Sequence, residues 1–322
     1  MAASKNAIHV VAAAIENSKG EILIAKRPTH VHQGGLWEFP GGKVEANETI
    51  ESALQRELLE ELNIHVTNST PLIQIEHHYP DKSVFLDVRH VITFTGTAIG
   101  NEGQDTQWVN KESLIDFEFP AANKSIINAI LLPSEYLITP EHNIVDRQWF
   151  LDTLESRLVE GIELLQLRAK SLSSDEFAVL YNQVKHLTSQ YNTKLLVNTS
   201  LENAKQLGAS GVHLTSTTLL ETKSLPKNLT IAASCHNANE IIKANELGVQ
   251  FILISPVNHT SSHPEATPMG WDNFANLCRI STVPAFALGG MTTTDAVTAI
   301  SHGGQGIAGI SSLWKRPEKT SR

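Results

Sequence analysis

The sequence has few of the residues that mark secreted, disulfide-bonded or membrane-spanning proteins. Only two of its 322 residues are cysteines, Cys235 and Cys278, which are too few for a disulfide framework and lack the spacing of a metal site. The apolar run 8–15 is too short to cross a bilayer, and the N-terminus has no basic segment ahead of an 18-residue apolar run. These features predict a cytoplasmic protein without a membrane partner.

Positive charge is also in short supply. The chain has 25 Lys and Arg against 34 Asp and Glu, a formal net charge of −9. This balance argues against a nucleic-acid polymer as the main partner, although a local site can still bind an anion through a metal ion. A small phosphorylated molecule is the partner that we expect.

The length and a hydrophobic content of 41% favour two packed domains. Pro133 interrupts the apolar periodicity, which predicts one domain at 1–131 and a second at 136–316. In the first, the pattern predicts a mixture of strands and helices: apolar segments at 8–15, 22–25 and 84–99, a helix at 48–62 and a final helix after Pro120.

The second half repeats a strand-then-helix unit eight times. The predicted strands are 136–138, 163–168, 194–198, 211–214, 230–234, 251–255, 285–288 and 306–310, with amphipathic helices such as 148–159 and 175–190 between them. Eight such units predict a closed (β/α)8 barrel, with a doubly wound open sheet as the alternative. In a barrel, functional residues follow the carboxyl ends of the strands.

One predicted helix carries three carboxylates within five residues. Glu57, Glu60 and Glu61 share about 100° of arc, because successive residues of a helix are about 100° apart, while Leu54, Leu58, Leu59 and Leu62 lie on a separate apolar arc. Like charges at this spacing repel unless a cation neutralises them, and Mg²⁺ prefers such oxygen ligands. The alternative is a solvated helix end with Arg56 as a partner.

The segment 42–64 resembles the Nudix hydrolase signature, G-x5-E-x7-R-E-U-x-E-E-x-G-U with U apolar. Every specified position but one is met, and the exception is Asn63 in place of Gly. Asn also adopts the left-handed conformation that follows a helix, so the departure is mild. The resemblance implies an α/β/α sandwich with a mixed sheet and a Mg²⁺-dependent hydrolase, with Mn²⁺ as an alternative ion.

Residues outside this segment resemble the MutT subfamily, the 8-oxo-dGTP diphosphatases. The similar segments are Arg27, His32, 34–42, 100–104 and 119–123. The resemblance implies that Glu57, Glu60, Glu61, Glu102 and the Gly41 carbonyl hold the metal, and that Arg56 orients the carboxylates by pairing with Glu48. It also implies that Arg27, His32, Glu38, Phe39 and Asn123 contact the nucleotide, with Asn123 reading the oxidised purine. By composition alone, Arg27 and Glu102 would be surface charges and Asn123 a helix cap.

The second half resembles thiamine phosphate synthase and its TenI relatives. The similar elements are 166–170, Asn198, 211–214, 234–236 and 288–291. Thr199, Thr218 and His263 stand where the synthase pattern has two metal-binding carboxylates and a lysine. The resemblance implies a phosphorylated thiamine precursor as ligand, bound by Arg168, Lys170, Asn198, Ser234, His236, Gly290, Ile310 and Ser311. Arg168, Lys170 and Asn198 could equally be polar residues of the rim, and His236 could be structural.

Together these patterns predict hydrolysis of 8-oxo-dGTP to 8-oxo-dGMP and pyrophosphate, joined to a degenerate synthase-like barrel. The alternatives are a Nudix hydrolase of another nucleoside diphosphate derivative, and a barrel that acts as a thiazole-phosphate tautomerase or as a non-catalytic sensor.

Overall fold

The computed structural model describes residues 7–30, 33–79, 82–141, 146–260 and 265–314. The chain divides into two compact units, with the boundary between Leu131 and Leu132. Among the described helices, none is both long and apolar enough to cross a bilayer.

The first unit contains seven described strands and two α-helices. In chain order these are β1 (Ala7–Ile15), β2 (Glu21–Lys26), β3 (Trp37–Glu38), β4 (Gly41–Lys43), α1 (Ile50–Leu62), β5 (Ile64–His78), β6 (Ser83–Gly96), β7 (Thr106–Asn110) and α2 (Asn123–Leu131), with a 3₁₀ helix at Lys111–Asp116. A four-stranded mixed sheet has the order β4-β1-β6-β5, and an antiparallel sheet has the order β3-β2-β7. Strands β1 and β6 are parallel, with Val11 opposite Asp87.

The side chains of β1 alternate between two cores, as expected for a strand buried on both faces. Val11 packs in the core that contains Leu58 of α1. Ala12 packs in the core that contains Ile126 of α2. The predicted α/β/α arrangement with a mixed sheet is confirmed. One detail differs, because Leu59, predicted on the apolar arc of α1, is 38% exposed.

The sequence analysis missed β5, although it is 15 residues long. This strand pairs with β6 alone and forms the edge of its sheet. Most of its side chains are therefore exposed or half-buried, and a few apolar residues such as Ile73 and Ile75 reach the core. A polar edge strand lacks the continuous apolar run that identified its neighbours.

The second unit is a closed barrel of eight strands, and every neighbouring pair is parallel. Its elements are β8 (Glu135–Ile138), α3 (Arg147–Val159), β9 (Leu164–Leu167), α4 (Ser174–Gln190), β10 (Lys194–Val197), α5 (Leu201–Gln206), β11 (Gly211–Leu214), α6 (Ser216–Glu221), β12 (Thr230–Cys235), α7 (Ala238–Leu247), β13 (Phe251–Ile254), α8 (Gly270–Cys278), β14 (Ala285–Ala287), α9 (Ala296–Ser301) and β15 (Gly306–Gly309). All eight predicted strands are present to within one or two residues. The predicted barrel is confirmed, and the open sheet is wrong.

Aromatic side chains fill the centre of the barrel. Tyr136, Phe251 and Phe286 are fully buried and contact one another with ring centroids 5.3–5.9 Å apart. A second and larger core lies between the strands and the helices, with members such as Leu154 and Val184. A filled interior leaves the carboxyl ends of the strands as the place for ligand chemistry.

Candidate active site

Helix α1 has a defined start and end. Thr49 is its N-cap, and the Thr49 hydroxyl accepts the Ser52 N–H at 3.1 Å. At the other end Asn63 has φ 56° and donates its N–H to the carbonyls of Leu58 and Leu59. The left-handed conformation expected of Asn63 is therefore present, and α1 ends at Leu62, directly after Glu61.

The glycines of β4 bring its backbone against the carboxylates of α1. The Gly41 N–H donates to Glu61 Oε2 at 3.0 Å. A Cβ at Gly41 would lie 2.1 Å from the Val11 carbonyl oxygen, and a Cβ at Gly42 would lie 2.2 Å from the Glu57 carboxylate. The Gly41 contact is with backbone, so glycine is required there, whereas a side chain at position 42 would displace the Glu57 carboxylate from its place on α1.

Arg56 is the centre of an ion-pair network on α1. Its Nε and Nη2 donate to both oxygens of Glu48, at 3.0 and 2.8 Å. Its Nη1 donates to Glu57 Oε1 at 2.7 Å and lies 3.6 Å from the exposed Glu60. Nη2 also donates to the Lys43 carbonyl at 2.9 Å. The expected pairing of Arg56 with Glu48 is present, and it ties the loop before α1 to the carboxylates on the helix.

The loop after β6 is hydrogen-bonded to the last carbonyls of α1. The Asn101 backbone N–H donates to the Glu61 carbonyl, and the Asn101 side chain donates to the Glu60 carbonyl, both at 2.9 Å. The Gln104 side chain donates to the Glu61 carbonyl at 2.9 Å. These carbonyls have no partner within the helix, so the loop caps α1 and brings Glu102 toward Glu61.

Glu61 lies in a strongly anionic environment. Burial, the largest cause, and then the charges of Glu38, Glu57 and Glu102 raise the pKa of Glu61 to about 8, while the hydrogen bond from Gly41 opposes the shift. Within the described part of the chain, no three acidic, His or Cys side chains are close enough to hold one metal ion in the arrangement shown. Arg56 pairs with Glu57, and Glu60 is exposed.

The donor set nevertheless fits a hard divalent cation. Its members are carboxylate oxygens, and the negative charges that surround the half-buried Glu61 would be offset by such an ion.

Arg27 and Glu38 form an ion pair beside this cluster. Both side chains are 27% exposed, and burial raises the pKa of Glu38 more strongly than Arg27 lowers it. Phe39 is buried and stacks on Phe119, with ring centroids 5.4 Å apart. Asn123 is 9% exposed at the first position of α2. His32, expected in the same pocket, lies outside the described residues.

In the barrel, Arg168 pairs with an acidic residue after β8. Arg168 Nη1 lies 3.0 Å from Glu141 Oε2, and the Ser171 N–H donates to Glu141 Oε1 at 2.8 Å. Burial raises the pKa of Glu141, but the hydrogen bonds from Ser171, the charge of Arg168 and the Lys170 N–H outweigh it, so the net shift is downward. The Lys170 side chain is exposed. Arg168, which the resemblance implies as a ligand-binding cation, is therefore already paired with the carboxylate of Glu141.

A buried polar chain crosses the barrel interior. The Gln166 amide donates to the Tyr136 hydroxyl at 3.2 Å, and this hydroxyl lies 3.3 Å from His213 Nδ1. His213 Nε2 lies 2.9 Å from the Ser234 hydroxyl, and the Asn198 amide donates to the His213 carbonyl at 3.1 Å. Burial lowers the pKa of His213 to about 3, so its ring is neutral at pH 7. Ser234 and Asn198 are thus brought together through a histidine to which the sequence analysis assigns no role.

His236 lies after β12 with its ring held by the next loop. Its backbone N–H donates to Glu240 Oε2 at 2.6 Å, and its Nδ1 lies 2.8 Å from the Ser255 carbonyl oxygen. Because a carbonyl only accepts, this contact places the proton on Nδ1 and leaves Nε2 as the acceptor.

The remaining expected ligand residues follow the last two strands. Gly290 has φ 67°, and a Cβ there would lie 2.3 Å from the His259 carbonyl oxygen. Ile310 and Ser311 come directly after β15. The three residues therefore stand at the carboxyl ends of β14 and β15, where the sequence placed them.

Comparisons with known proteins agree with both halves of this description. The model of the thiamine monophosphate synthase family matches residues 135–313, and that of the NUDIX domain matches residues 11–129. A protein of Aquifex aeolicus (strain VF5), provisionally named thiamine-phosphate synthase 2, is 35% identical over 182 residues, which are 56% of this chain and 97% of that protein. The 8-oxo-dGTP diphosphatase of Proteus vulgaris is 48% identical over 82 residues, 26% of this chain and 73% of that protein. The CTP pyrophosphohydrolase of Escherichia coli (strain K12) is 38% identical over 124 residues, 38% of this chain and 91% of that protein.

The chain belongs to the Nudix and thiamine monophosphate synthase families. Both predicted resemblances are confirmed. The Nudix relatives are hydrolases by name, but they act on different nucleotides, a purine in one case and a pyrimidine in the other. Family membership therefore leaves the substrate open.

Two residues that the synthase resemblance aligns with metal-binding carboxylates have local hydrogen bonds in the barrel. Thr199 Oγ1 accepts the Asn203 amide at 3.2 Å beside the start of α5. Thr218 donates its N–H to Thr215 Oγ1 at 3.2 Å within the first turn of α6. Both hydroxyls belong to helix starts. His263 lies outside the described residues.

Sequence reasoning missed three residues of these sites: Gln104, Glu141 and His213. Gln104 and His213 lie inside the similar segments 100–104 and 211–214. The Gln104 amide, however, bonds to a carbonyl 43 residues away, and the His213 ring contacts side chains 21 and 77 residues away. Glu141 faces Arg168 across 27 residues. Such pairings follow from the fold, because spacing within a motif carries no information about them.

Proposed function

We propose that the Nudix unit hydrolyses a nucleoside triphosphate to the monophosphate and pyrophosphate, with 8-oxo-dGTP as its preferred substrate. The observation that carries the proposal is the group of carboxylates around the half-buried Glu61, held by Arg56 on one side and by the loop of Glu102 on the other. The similarity to the Proteus vulgaris diphosphatase supports the choice of substrate.

A bound Mg²⁺ or Mn²⁺ would be held by Glu57, Glu60, Glu61, Glu102 and the Gly41 carbonyl. When bound, such an ion polarises phosphoryl oxygens and lowers the pKa of a coordinated water. The protein's own part is to orient these oxygens.

Two contacts supply that orientation. Arg56 fixes Glu57 by a hydrogen bond from Nη1, and Gly41 fixes Glu61 by its N–H. Arg27 is paired with Glu38, whose charge acts on Glu61. A phosphate oxygen can compete with Glu38 for the Arg27 guanidinium, which keeps its charge at any working pH.

The base would be recognised by Asn123 and Phe39. A carboxamide offers a donor and an acceptor together, which a purine edge requires, and the low exposure of Asn123 makes an unpaired group there costly. The stacked rings of Phe39 and Phe119 would provide an apolar wall. Together these residues favour a planar, hydrogen-bonding base.

A nucleotide panel tests this assignment. We expect kcat/KM with Mg²⁺ to be highest for 8-oxo-dGTP, against dGTP, dCTP and CTP, since the Escherichia coli relative acts on CTP. Equal values for oxidised and normal guanine nucleotides would remove the preference while leaving Nudix chemistry in place. A maximum at CTP would favour the rival substrate class.

We further propose that the barrel binds a phosphorylated thiamine precursor without forming thiamine phosphate. Thr199 and Thr218 stand in place of metal-binding carboxylates, and Arg168 is paired with Glu141. Hydroxyls cannot replace carboxylates as Mg²⁺ ligands, and without that metal the charge of a pyrophosphate leaving group is not neutralised. Isothermal titration of the full chain with thiazole phosphate tests binding, and rescue of a thiamine auxotroph would refute the loss of synthesis.

His236 favours a second candidate activity for the barrel, proton transfer on a thiazole phosphate. Its Nδ1 contact with the Ser255 carbonyl selects the neutral tautomer whose acceptor nitrogen is Nε2, the atom that a general base would use. The test is deuterium exchange into thiazole phosphate, followed by NMR, for the wild type and for His236→Gln. Equal exchange rates in both proteins would leave His236 with a structural role.

A further inference from the structure

One side chain links the two backbone segments that carry Glu61 and Glu102. The Gln104 amide nitrogen donates to the Glu61 carbonyl, and the Gln104 amide oxygen accepts the Glu102 N–H, both at 2.9 Å. The side chain is half-buried. Both halves of the carboxamide are therefore engaged, one on each acidic residue's main chain.

This link opposes a repulsion that the site itself creates. Glu61 is surrounded by other carboxylates, and Glu102 is one of those whose charge acts on it. Without a restraint, the exposed loop at 99–104 would relax away from the end of α1 whenever Glu61 is ionised, as a metal ligand must be, because the carboxylates of Glu61 and Glu102 then repel each other. A carboxamide bonded to both backbones supplies that restraint without adding charge.

The loop is shaped around this side chain. A Cβ at Gly100 would lie 2.1 Å from the Gln104 carbonyl oxygen, and Gly103 has φ 81°, in the left-handed region. The two glycines let the chain turn tightly enough for Gln104 to reach back past Glu102 to α1. Asn101 contributes a parallel pair of bonds to the carbonyls of Glu60 and Glu61.

We propose that Gln104 is a positioning residue for metal-dependent hydrolysis, acting through Glu102 by holding it against the carboxylates of α1. The inference rests on the proposed function, since it takes Glu102 to be part of the metal site. It goes further by assigning the placement of Glu102 to a neutral side chain that touches neither the metal nor the nucleotide. Removing both hydrogen bonds should therefore release Glu102 without altering any ligand.

The test is a double-mutant cycle on the full chain with Gln104→Met and Glu102→Gln. Methionine keeps the length and loses both hydrogen bonds. Mn²⁺ affinity, measured by electron paramagnetic resonance without nucleotide, is one readout, and kcat and KM with Mg²⁺ are the other. Gln107→Met is the matched control, because Gln107 is an exposed glutamine on β7.

We expect Gln104→Met to weaken Mn²⁺ binding and lower kcat by about 10- to 100-fold, the range for residues that orient metal ligands, with a smaller change in KM. In the Glu102→Gln background the same substitution should have little further effect, because the group it positions is already gone. Gln107→Met should match the wild type. Gln104→Asn keeps a neutral carboxamide that is one methylene shorter, so that it cannot bond to both backbones at once, and it should fall between the wild type and Gln104→Met.

Losses that add in the double mutant would overturn the proposal, since Gln104 would then act on the fold and not through Glu102. Should Gln104→Met lower the melting temperature by several degrees, the cycle is repeated with Gln104→Asn and read in the same way. A cycle that is non-additive for Mn²⁺ while no triphosphate is hydrolysed would support the positioning role and refute the proposed substrate. Additive losses of Mn²⁺ affinity together with hydrolysis of 8-oxo-dGTP by the wild type would refute the positioning role and support the proposed substrate.

Discussion

Replacing Glu61 with glutamine should make the metal-free Nudix unit more stable and its hydrolysis far slower. The carboxyl of Glu61 is half-buried beside Glu38, Glu57 and Glu102, and its pKa is about 8 in place of 4.5. At pH 7 the carboxyl is ionised in the unfolded chain and protonated in the folded chain. Folding therefore costs the free energy of taking up this proton, and a neutral glutamine avoids that cost.

The sign and the pH window follow from this shift. The folded-state pKa of an acid is raised, so the penalty is absent below pH 4.5, grows between pH 4.5 and about 8, and is constant above that. Stability of the metal-free wild type should accordingly fall as pH rises through this window. At pH 7 the solution is about 2.5 pH units above the lower end of this window. Each unit is worth about 1.4 kcal/mol, so the penalty on the free energy of folding is on the order of 3 kcal/mol.

Hydrogen exchange at the amides of α1 measures this locally in the full chain. Wild type and Glu61→Gln are compared at pH 5 and pH 8 in EDTA, always at equal pH so that intrinsic exchange rates cancel. The variant should be better protected at pH 8 and nearly equal at pH 5. Glu112→Gln, the same charge change at an exposed position of the 3₁₀ helix, should show no such difference.

The kcat of Glu61→Gln should fall, although its metal-free stability rises. Loss of a charged metal ligand commonly costs about 10²-fold or more in kcat. Added Mg²⁺ should stabilise the wild type but not the variant, since a ligand that binds the folded state shifts unfolding by mass action. Equal protection of both proteins at pH 8, or wild-type turnover by the variant, would refute the reasoning that Glu61 is kept for its charge.

Three further predictions concern the base, the ion-pair network and the division of the chain. Asn123→Ala should reduce the preference for 8-oxo-dGTP over dGTP by roughly 1 to 3 kcal/mol in the kcat/KM ratio; an equal slowing of all nucleotides would make Asn123 structural. Arg56→Lys should lower kcat and weaken Mn²⁺ binding because lysine cannot bind both oxygens of Glu48 while it holds Glu57; calorimetry with Mn²⁺ measures this, and unchanged binding would contradict it. Residues 1–132 alone should keep the kcat/KM of the full chain, and a loss of more than about tenfold would show dependence on the barrel.

Much of this protein follows from local sequence pattern. The carboxylates of α1, their spacing from Gly42 and the left-handed Asn63 can be read from residues within 23 positions of one another, because a helix converts spacing into a shared face. The barrel strands were found for a related reason. They are buried on both sides, so each is an apolar run bounded by polar helices.

Tertiary structure decided how these pieces act on one another. Only the folded chain places Glu38, Glu57 and Glu102 around Glu61 and so raises its pKa, since electrostatic shifts depend on distance and burial and not on sequence separation. The same holds for the carboxamide of Gln104 between two backbones and for the pairing of Arg168 with Glu141. Local pattern selected the groups, and long-range contacts set their charge, orientation and partners.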